Sequence, residues 1–531
     1  MIQTSLHPLD IVIIVLYLAM LAGVGLYFSK RQKSLDEFFL AKQSMAWLPV
    51  GLSLMAALDS AIDYLMQPSS TIKYGLILLI GTSSWIFLYP WVSRVTLPFY
   101  RRLNYFTAYE YLEARFDVRV RALAAVIFIV WRLGWMATAI YVPSLAISTA
   151  TGDRIPVALL VAGLGVIVTL YTALGGIEAV IWNDVAQFCV RFGGLAAVVA
   201  IAATSVTGGF SNIWTIASEA HKTSLVAQVD LGSGGFVERL QAFFFQPINV
   251  VSIMFSMVVG RMASYTSDQI MVQRLQTTKS LKDARQAFIV NAAGDAIWMF
   301  ALSFVGLALF AFFRTRPLPA DFATDKILPY FMSLAFPGGV VGLVIASIMA
   351  ASLSSVDSAI NSCTSVLVID IYNRLIRGRE TRRQTQGKAG SPDAATHDIL
   401  VSRVATGAFG VAGTILAMNV SKIGSLLEIA NKLINAFSGP LFGIYILAMF
   451  SRRATSAAAL VAGVVGSLTS YYVAYWSRIG FMWPSTLGFA ATLVVGALWS
   501  MVRPERPSDA AQQLTWWSVM ASRATRESRT V

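Results

Sequence analysis

Charged side chains interrupt several long apolar stretches of the chain, and their types and spacing suggest chemistry. An ionisable group at membrane depth is costly, so each such group is a candidate for binding an ion or a solute. Asp59 and Asp63 are four residues apart and therefore lie on one helical face, beside Ser60. The other candidates are Arg132, Trp135, Asp184, Arg191, Arg261, Asp295 and Asp357. Each residue alone could serve a structural ion pair, but the whole set indicates binding.

The densest concentration of small oxygen ligands is the stretch from Ala351 to Ser358, which reads Ala-Ser-Leu-Ser-Ser-Val-Asp-Ser. Alkali cations are hard and favour several oxygens from hydroxyls, carboxylates and unwound backbone carbonyls. Serine clusters in membrane helices also serve as packing contacts between helices. The spacing alone therefore leaves an ion site and a packing role open.

The composition indicates which elements must position these residues. Of 531 residues, 56% are hydrophobic and 13% are charged, and the mean hydropathy is +0.64. An ordinary soluble domain has about 25% charged residues, so a water-soluble fold is excluded.

The two cysteines lie in apolar runs, which argues against a disulfide framework. No histidine lies in an apolar stretch and no His-Glu-x-x-His or Gly-x-Ser-x-Gly string occurs, so we predict neither an enzyme nor a cofactor.

Apolar windows of spanning length predict an all-α integral membrane protein with about 13 transmembrane helices. The predicted spans are 9–29, 47–67, 74–98, 122–150, 156–175, 179–206, 247–268, 285–313, 338–368, 400–419, 424–449, 455–477 and 484–503.

The distribution of Lys and Arg predicts the topology. No basic residue precedes the first span, whereas Lys30, Arg31 and Lys33 follow it, which places the N-terminus outside. The third, seventh and ninth connections are then cytoplasmic and hold Arg101, Arg102, Arg115, Arg119, Arg121, Arg274, Lys279, Lys282, Arg285, Arg374, Arg377, Arg379, Arg382, Arg383 and Lys388. We therefore interpret the excess of 41 basic over 28 acidic residues as a topology signal. It predicts a multi-pass plasma (cell inner) membrane protein with a cytoplasmic C-terminus.

Several strings identify a family resemblance. Asp36-Glu37-Phe38-Phe39-Leu40-Ala41, Tyr171-Thr172-Ala173-Leu174-Gly175-Gly176-Ile177 and Asp268-Gln269-Ile270-Met271-Val272-Gln273-Arg274 closely resemble the sodium:solute symporter family. The likeness runs from about residue 9 to residue 503. The string from Thr107 to Phe116 most resembles the branch of that family that handles organic anions and vitamins.

The resemblance implies a LeuT-type fold, in which two inverted repeats of five helices each begin with a broken helix. Residues 1–46 then form an extra span with its linker, 47–206 the first repeat, 207–246 an extracellular loop and 247–449 the second repeat. Residues 450–503 form two further spans and 504–531 a cytoplasmic tail. Gly51 and Pro68 flank the first predicted break, and Gly260 marks the second.

The resemblance also implies sodium sites. The main site uses carbonyls at Ala56, Asp59 and Ala351 and the hydroxyls of Ser354 and Ser355. A second cation site falls on Asp184, Ser354, Asp357 and Ser358. Asp357 departs from the family, which usually has Ser or Thr at that position. Two carboxylates around one cavity either hold a cation more strongly or share a proton, so sodium and proton coupling both stay open.

The predicted solute pocket consists of Ser60, Asp63, Trp135 and Arg261. The Arg that binds the solute carboxylate in the sialic acid branch is missing, because Trp135 takes its position. Asp63, Trp135 and Arg261 together favour a zwitterionic or amine-bearing metabolite. The alternative for this pocket is a simple ion pair between Asp63 and Arg261.

We therefore predict sodium-coupled symport of a small polar organic solute by alternating access. No nucleic acid and no obligate protein partner is expected, and the lipid bilayer is the other contact. The alternatives are a proton-coupled symporter or an organic-anion or vitamin symporter of the same fold. A transporter-like sensor that acts through a separate partner chain is a further alternative.

Overall fold

The structure is a computed structural model that describes residues 6–29, 43–103, 105, 107–174, 177–226, 235–319, 322–378, 392–503 and 507–527. Within these ranges the chain is helical, and one isolated backbone bridge joins Met45 to Thr278. The string Asp36–Ala41 and the pair Gly175 and Gly176 lie outside the described residues.

The first half of the described chain contains a long series of helices with one nearly continuous stretch. Its α-helices are α1 (Pro8–Ser29), α2 (Trp47–Leu58), α3 (Ala61–Tyr74), α4 (Ser84–Trp91), α5 (Leu97–Leu103), α6 (Ala108–Arg115), α7 (Val118–Ala150), α8 (Val157–Leu174), α9 (Ile177–Thr204), α10 (Gly209–Glu219) and α11 (Phe236–Phe245). A 3₁₀ helix, Gly75–Ser83, connects α3 to α4, and a π-helical turn, Val92–Thr96, connects α4 to α5. These pieces run on without a loop from residue 61 to residue 103.

The second half repeats the pattern of a broken helix followed by long spans. Its α-helices are α12 (Val250–Ser267), α13 (Gln269–Gln276), α14 (Leu281–Arg314), α15 (Ile327–Ala335), α16 (Val340–Val366), α17 (Pro392–Ala417), α18 (Leu426–Ile429), α19 (Ser438–Phe450), α20 (Ser456–Tyr475), α21 (Pro484–Val502), α22 (Asp509–Gln513) and α23 (Trp516–Glu527). The remaining pieces are 3₁₀ helices Thr324–Lys326 and Val420–Lys422 and π-helical segments Leu367–Ile376 and Ala430–Asn435.

The described helices contain nine that are long and apolar enough to cross a membrane, or ten if the bent pair α11 and α12 forms one span. Three shorter apolar helices are Pro8–Leu21, Trp47–Leu58 and Val157–Ala173. Every predicted span overlaps a described helix, because hydropathy is a local property that the bilayer imposes on each segment. The count of thirteen crossings stays a prediction.

Two aspartates interrupt the helices that begin the two predicted repeats. Asp59 separates α2 from α3 with φ −88° and ψ 117°, and Asp268 separates α12 from α13 with φ −89° and ψ 117°. Asp268 accepts a hydrogen bond from the N–H of Ile270 and so caps α13. The first break lies between Gly51 and Pro68 as predicted. The second lies at Asp268, not beside Gly260, which is inside α12, because Asp caps a new helix and Gly260 does not.

Helix α16 lies at the centre of the bundle and packs against α1, α7 and α9. Each of its residues from Val344 to Val366 is buried. Helix α9 approaches closely at Gly194, where an added Cβ would lie 2.3 Å from the Ser347 Cβ. The Ser347 hydroxyl donates to the carbonyl of Arg191 at 2.9 Å. The serine-rich stretch of α16 therefore faces other helices along its whole length.

Some arginines that we interpreted as topology signals are structural. Arg115 is buried and donates to the carbonyls of Ala448 and Ser451. Arg121 is also buried and forms ion pairs with Glu113 and Asp370. These guanidinium groups join α6 and α7 to α19 and to the π-helical segment Leu367–Ile376 after α16, so they stabilise one end of the bundle.

Glu113 gives a pH test of this end of the bundle. Its carboxylate accepts hydrogen bonds from Arg374 and Arg121, each at 2.7 Å. Burial alone raises the pKa of Glu113, but the two arginines outweigh burial and hold this pKa below its usual range. A lowered folded-state pKa contributes stability above the unfolded value of about 4.3, and this stability is lost as the pH falls through the folded-state pKa.

We therefore expect Glu113→Gln to lower the melting temperature at neutral pH. The difference from the wild type should shrink as the pH falls through the folded-state pKa of Glu113. Thermal unfolding across a pH series measures this, with Glu219→Gln at the exposed end of α10 as control. A difference that stays constant down to low pH would contradict the ion-pair explanation.

Candidate functional site

Four of the five predicted main-site ligands converge between the first helix break and α16. The hydroxyl of Ser354 donates to the carbonyl of Ala56 at 3.0 Å and approaches that of Ala351 at 3.3 Å. The hydroxyl of Ser355 reaches the same two carbonyls at 3.4 and 3.3 Å. All four residues are buried. Two carbonyls and two hydroxyls at this spacing suit a hard monovalent cation, because the hydroxyl protons can rotate away and leave four oxygen ligands.

The fifth predicted ligand, Asp59, lies at the break itself. Its carbonyl accepts a hydrogen bond from Nη1 of Arg191 at 2.7 Å. Its side chain is buried, and its Oδ2 has no hydrogen-bond partner. Nε and Nη2 of Arg191 are buried and also lack an acceptor. The first break therefore holds a carboxylate oxygen and two guanidinium donors with unused hydrogen-bonding capacity, which is costly unless another group binds them.

The predicted second cation site already contains a positive side chain, Arg274 of α13. Its Nη2 contacts Oδ2 of Asp184 at 3.2 Å and donates to the hydroxyl of Ser358. Its Nε donates to Ser53 at 2.8 Å, and Ser53 donates to the same Asp184 oxygen at 2.6 Å. Arg274 and Asp184 are fully buried. One guanidinium group therefore connects both broken-helix regions to α9 and α16.

Asp357 lies on the same side of α16 as this ion pair. Its Oδ2 accepts from the hydroxyl of Tyr171 at 3.2 Å, and its Oδ1 contacts the Ser358 hydroxyl at 3.3 Å. It interacts electrostatically with both Asp184 and Arg274. The Ser358 hydroxyl also donates to the carbonyl of Ser354 at 2.5 Å. The four predicted residues thus lie together, with Arg274 balancing one of their two carboxylates.

Two of the predicted solute residues cap a helix. The backbone N–H of Ser60 donates to Oδ2 of Asp63 at 2.8 Å, and the Ser60 hydroxyl accepts from the N–H of Ile62 at 3.1 Å. This reciprocal pair is a capping box that begins α3 directly after the break. The Asp63 side chain stays partly exposed. It can therefore still face a solute with its second oxygen.

Arg261 forms its ion pair with Asp295 and not with Asp63. Its Nη2 lies 2.8 Å from Oδ2 of Asp295, and its Nη1 donates to the hydroxyl of Ser84 at 3.1 Å. The guanidinium carbon is 4.3 Å from the ring centre of Trp85, whose Nε1 donates to the same Asp295 oxygen at 2.5 Å. Arg261 is thus fixed in position, although it is partly exposed. Asp59, Asp63, Asp295, Arg191 and Arg261 form one electrostatic group, which we call the first-break cluster.

Trp135 lies beside the second break. Its ring centre is 4.9 Å from the guanidinium carbon of Arg132, which forms a buried ion pair with Asp268. Its indole N–H is buried without an acceptor. Within the described residues, Asp63 and Arg261 therefore belong to the first-break cluster and Ser60 adjoins it, whereas Trp135 lies in the surroundings of Asp268.

Sequence reasoning missed the roles of Arg274 and Asp268. Arg274 follows an apolar stretch and precedes Lys279 and Lys282, so it had the pattern of a loop charge. The signal was the position of Arg274 six residues after Asp268, where a new helix beginning at the break carries it inward. Placing the second break at Gly260 concealed that signal.

The charges around the two breaks do not balance. In the described part of the chain they comprise six aspartates and four arginines, namely Asp59, Asp63, Asp184, Asp268, Asp295, Asp357, Arg132, Arg191, Arg261 and Arg274. With every group ionised, two negative charges remain. The Asp268 and Arg132 pair is neutral, so one excess charge lies in the first-break cluster and one beside Arg274. Two monovalent cations would neutralise the site.

The chain is similar to known transporters over most of its length. The profile of the Sodium:solute symporter family matches residues 38–466. The Sodium/sialic acid symporter SiaT of Proteus mirabilis (strain HI4320) is 31% identical over 484 residues, which cover 91% of this chain and 92% of that protein. The Sodium-dependent multivitamin transporter of Oryctolagus cuniculus is 30% identical over 496 residues, covering 90% and 71%. A solved Na⁺-coupled sialic acid symporter, substrate-bound and outward-open, has TM-score 0.82 at 28% identity, covering 95% and 100%.

Proposed function

The chain belongs to the sodium:solute symporter family, and from this premise we propose that its solute is a small net-neutral molecule with both an amine and an acid group. It is a multi-pass membrane transporter and not an enzyme, sodium is its coupling ion, and its fold is the LeuT-type fold that the sequence motifs predict. We further propose that it resides in the plasma membrane with its N-terminus outside.

The charge balance around the breaks is the observation that carries this proposal. With all six aspartates and four arginines ionised, two negative charges are in excess, one in each of two separate groups, so one sodium ion at each group would leave the site neutral. A zwitterion then adds no net charge to the buried site, whereas an organic anion would add an uncompensated one. The partly exposed carboxylate of Asp63 and the unused donors on Arg191 offer one partner for each end of a zwitterion.

Sodium ions that bind at these sites can release enough free energy to drive accumulation of the solute. The main site consists of the carbonyls of Ala56, Asp59 and Ala351 with the hydroxyls of Ser354 and Ser355, and it joins the first broken helix to α16. A sodium ion there favours the conformation in which these two elements touch, and its loss frees them to separate. Each sodium ion that enters down a potential of about 100 mV contributes about 2.3 kcal/mol. Tenfold accumulation of the solute costs about 1.4 kcal/mol, so one ion suffices for more than that.

The second site consists of Asp184, Ser354, Asp357 and Ser358, with sodium as the proposed ion and a proton as the alternative. Asp357→Ser removes the excess charge of this group, because Arg274 then balances Asp184 alone. We expect the number of charges moved per solute to fall from about two to about one. Currents and uptake in proteoliposomes, with sodium and proton gradients imposed separately, measure this. Unchanged stoichiometry and ion dependence in the variant would contradict both a sodium and a proton role for Asp357.

Asp63 is proposed to face the amine of the solute. Asp63→Asn keeps the oxygen that caps α3 but removes the charge, so we expect amine-bearing solutes to lose at least about tenfold in affinity relative to analogues without the amine. Solutes are first identified by thermal shift of the purified protein against amino acids, amines, vitamins and sugars, with and without sodium. Ser60→Ala is the comparison variant: it weakens the same cap without changing charge, so it should not shift selectivity towards analogues without the amine. Unaltered selectivity in Asp63→Asn would contradict this role.

A further inference from the structure

The segment after the last span packs against the bundle. The carbonyl of Leu514 accepts from the hydroxyl of Tyr111 at 3.2 Å, and the carbonyl of Val519 accepts from Arg102 at 3.2 Å. The indole N–H of Trp516 donates to the carbonyl of Val95 at 3.3 Å. Thr515 between these contacts is fully buried. Residues 514–519, which we call the C-terminal clasp, therefore bind α5, α6 and the π-helical turn before α5.

One route of direct contacts leads from the clasp to the second helix break through aromatic rings. The ring of Trp516 lies 6.0 Å from that of Phe450 at the end of α19. Phe450 lies 5.8 Å from Trp91 at the end of α4. The indole N–H of Trp91 donates to the hydroxyl of Thr266 at 2.9 Å. Thr266 is two residues before Asp268, where the helix breaks.

A second, separate route reaches the same residue. Tyr111, which binds the carbonyl of Leu514, packs edge-on against Phe99 at 4.9 Å between ring centres. Phe99 packs against Tyr100 at 5.9 Å. The hydroxyl of Tyr100 donates to the carbonyl of Thr266. Both routes therefore end on Thr266.

Helix α6 completes the contacts at the break. The hydroxyl of Tyr109 donates to the carbonyl of Ser267 at 2.9 Å. The side chain of Gln269 accepts from the N–H of Ala108 at 2.8 Å. A helix break at membrane depth frees backbone groups that must find other partners. Here those partners come from α5 and α6, the two helices that the clasp binds.

We propose that the C-terminal clasp positions the second helix break and, through it, Arg274 in the second cation site. Helix α13 begins directly after the break and carries Arg274 one and a half turns later. Undocking of the clasp removes its direct contacts with Phe450 and Tyr111, which loosens the hold of Trp91 and Tyr100 on Thr266. Arg274 then leaves Asp184 and Ser358 more readily. The clasp acts at a distance as a positioning element and does not touch ion or solute.

Hydrogen–deuterium exchange of the full chain tests this proposal without a solute. Trp516→Ala, and a chain ending at residue 507, should raise amide exchange in residues 262–276 by at least about tenfold, while α20 and α21 stay unchanged. A chain ending at residue 527 is the matched control, because it keeps the clasp. Tyr111→Phe, which removes one hydrogen bond, should give a smaller increase confined to the same residues. If the chain that ends at residue 507 does not fold, Trp516→Ala and Tyr111→Phe test the proposal on their own.

A second readout separates positioning from general stability. Sodium alone, added to purified protein, should protect residues 262–276 from exchange, and Trp516→Ala should raise the sodium concentration needed for half of that protection by about threefold or more. No change in the exchange of residues 262–276 in either variant would overturn the proposal. Faster exchange throughout the bundle would overturn it too, because a merely structural role predicts that result.

Discussion

The double variant Ser354→Ala with Ser355→Ala is expected to abolish sodium-stimulated uptake at sodium concentrations near the wild-type half-maximum. The two hydroxyls supply half of the four converging oxygens at the main site, and no other side chain contributes to those four. If each hydroxyl is worth about 1.4 kcal/mol to the ion, the sodium concentration for half-maximal uptake rises about a hundredfold. Initial uptake rates against sodium concentration in proteoliposomes measure the shift.

The matched control for this pair is Ser352→Ala on the same helix. Ser352 donates to the carbonyl of Ala139 in α7 and so makes a packing contact away from the site. It should leave the sodium dependence near that of the wild type. If the double variant keeps a wild-type sodium dependence, the main site has been assigned to the wrong oxygens.

The second large effect is expected at the other helix break. Arg132→Met leaves the carboxylate of Asp268 buried without its partner, which should destabilise the protein by about 3–5 kcal/mol. The combination Arg132→Met with Asp268→Asn should recover most of that loss, because no charge remains and the Asn oxygen still caps α13. Denaturant unfolding in detergent compares the three proteins. Equal losses in the single and the double variant would show that the ion pair is not what holds this break.

Local features of the fold could be predicted from the sequence. The apolar windows coincide with described helices, and the first break lies between Gly51 and Pro68, because hydropathy and backbone preferences are properties of short segments. The position of the second break could not be predicted from a glycine alone. An aspartate that begins a new helix is the stronger signal there, and Asp268 has nearly the same backbone angles as Asp59.

Ion-pair partners could not be predicted, because they depend on how helices pack. Arg261 pairs with Asp295, 34 residues away on another helix, and not with Asp63. Arg274 pairs with Asp184, 90 residues away, although its neighbours in the sequence are typical of a loop. Trp135 lies beside Arg132 and Asp268 at the second break, whereas Asp63 and Arg261 lie at the first. The sequence predicted a single pocket for all three residues.

The charges at the first break also bear on which solute this chain carries. The sialic acid symporters that this chain resembles take an acid as their solute. In this chain the first-break cluster carries three carboxylates and two guanidinium groups, one of them Arg261 of α12. Once a sodium ion has offset the excess carboxylate, a solute with both an amine and an acid group keeps the site neutral, which supports the proposed solute class.

Parallel measurement of the sodium and solute fluxes in one proteoliposome preparation tests directly whether sodium drives uptake and how many ions accompany each solute. The solute is the zwitterion with the largest sodium-dependent thermal shift, and the proton gradient is collapsed throughout. We predict that about two sodium ions enter with each solute molecule, one for each excess negative charge at the breaks. Solute entry that continues without sodium, or that follows an imposed proton gradient instead, would contradict it.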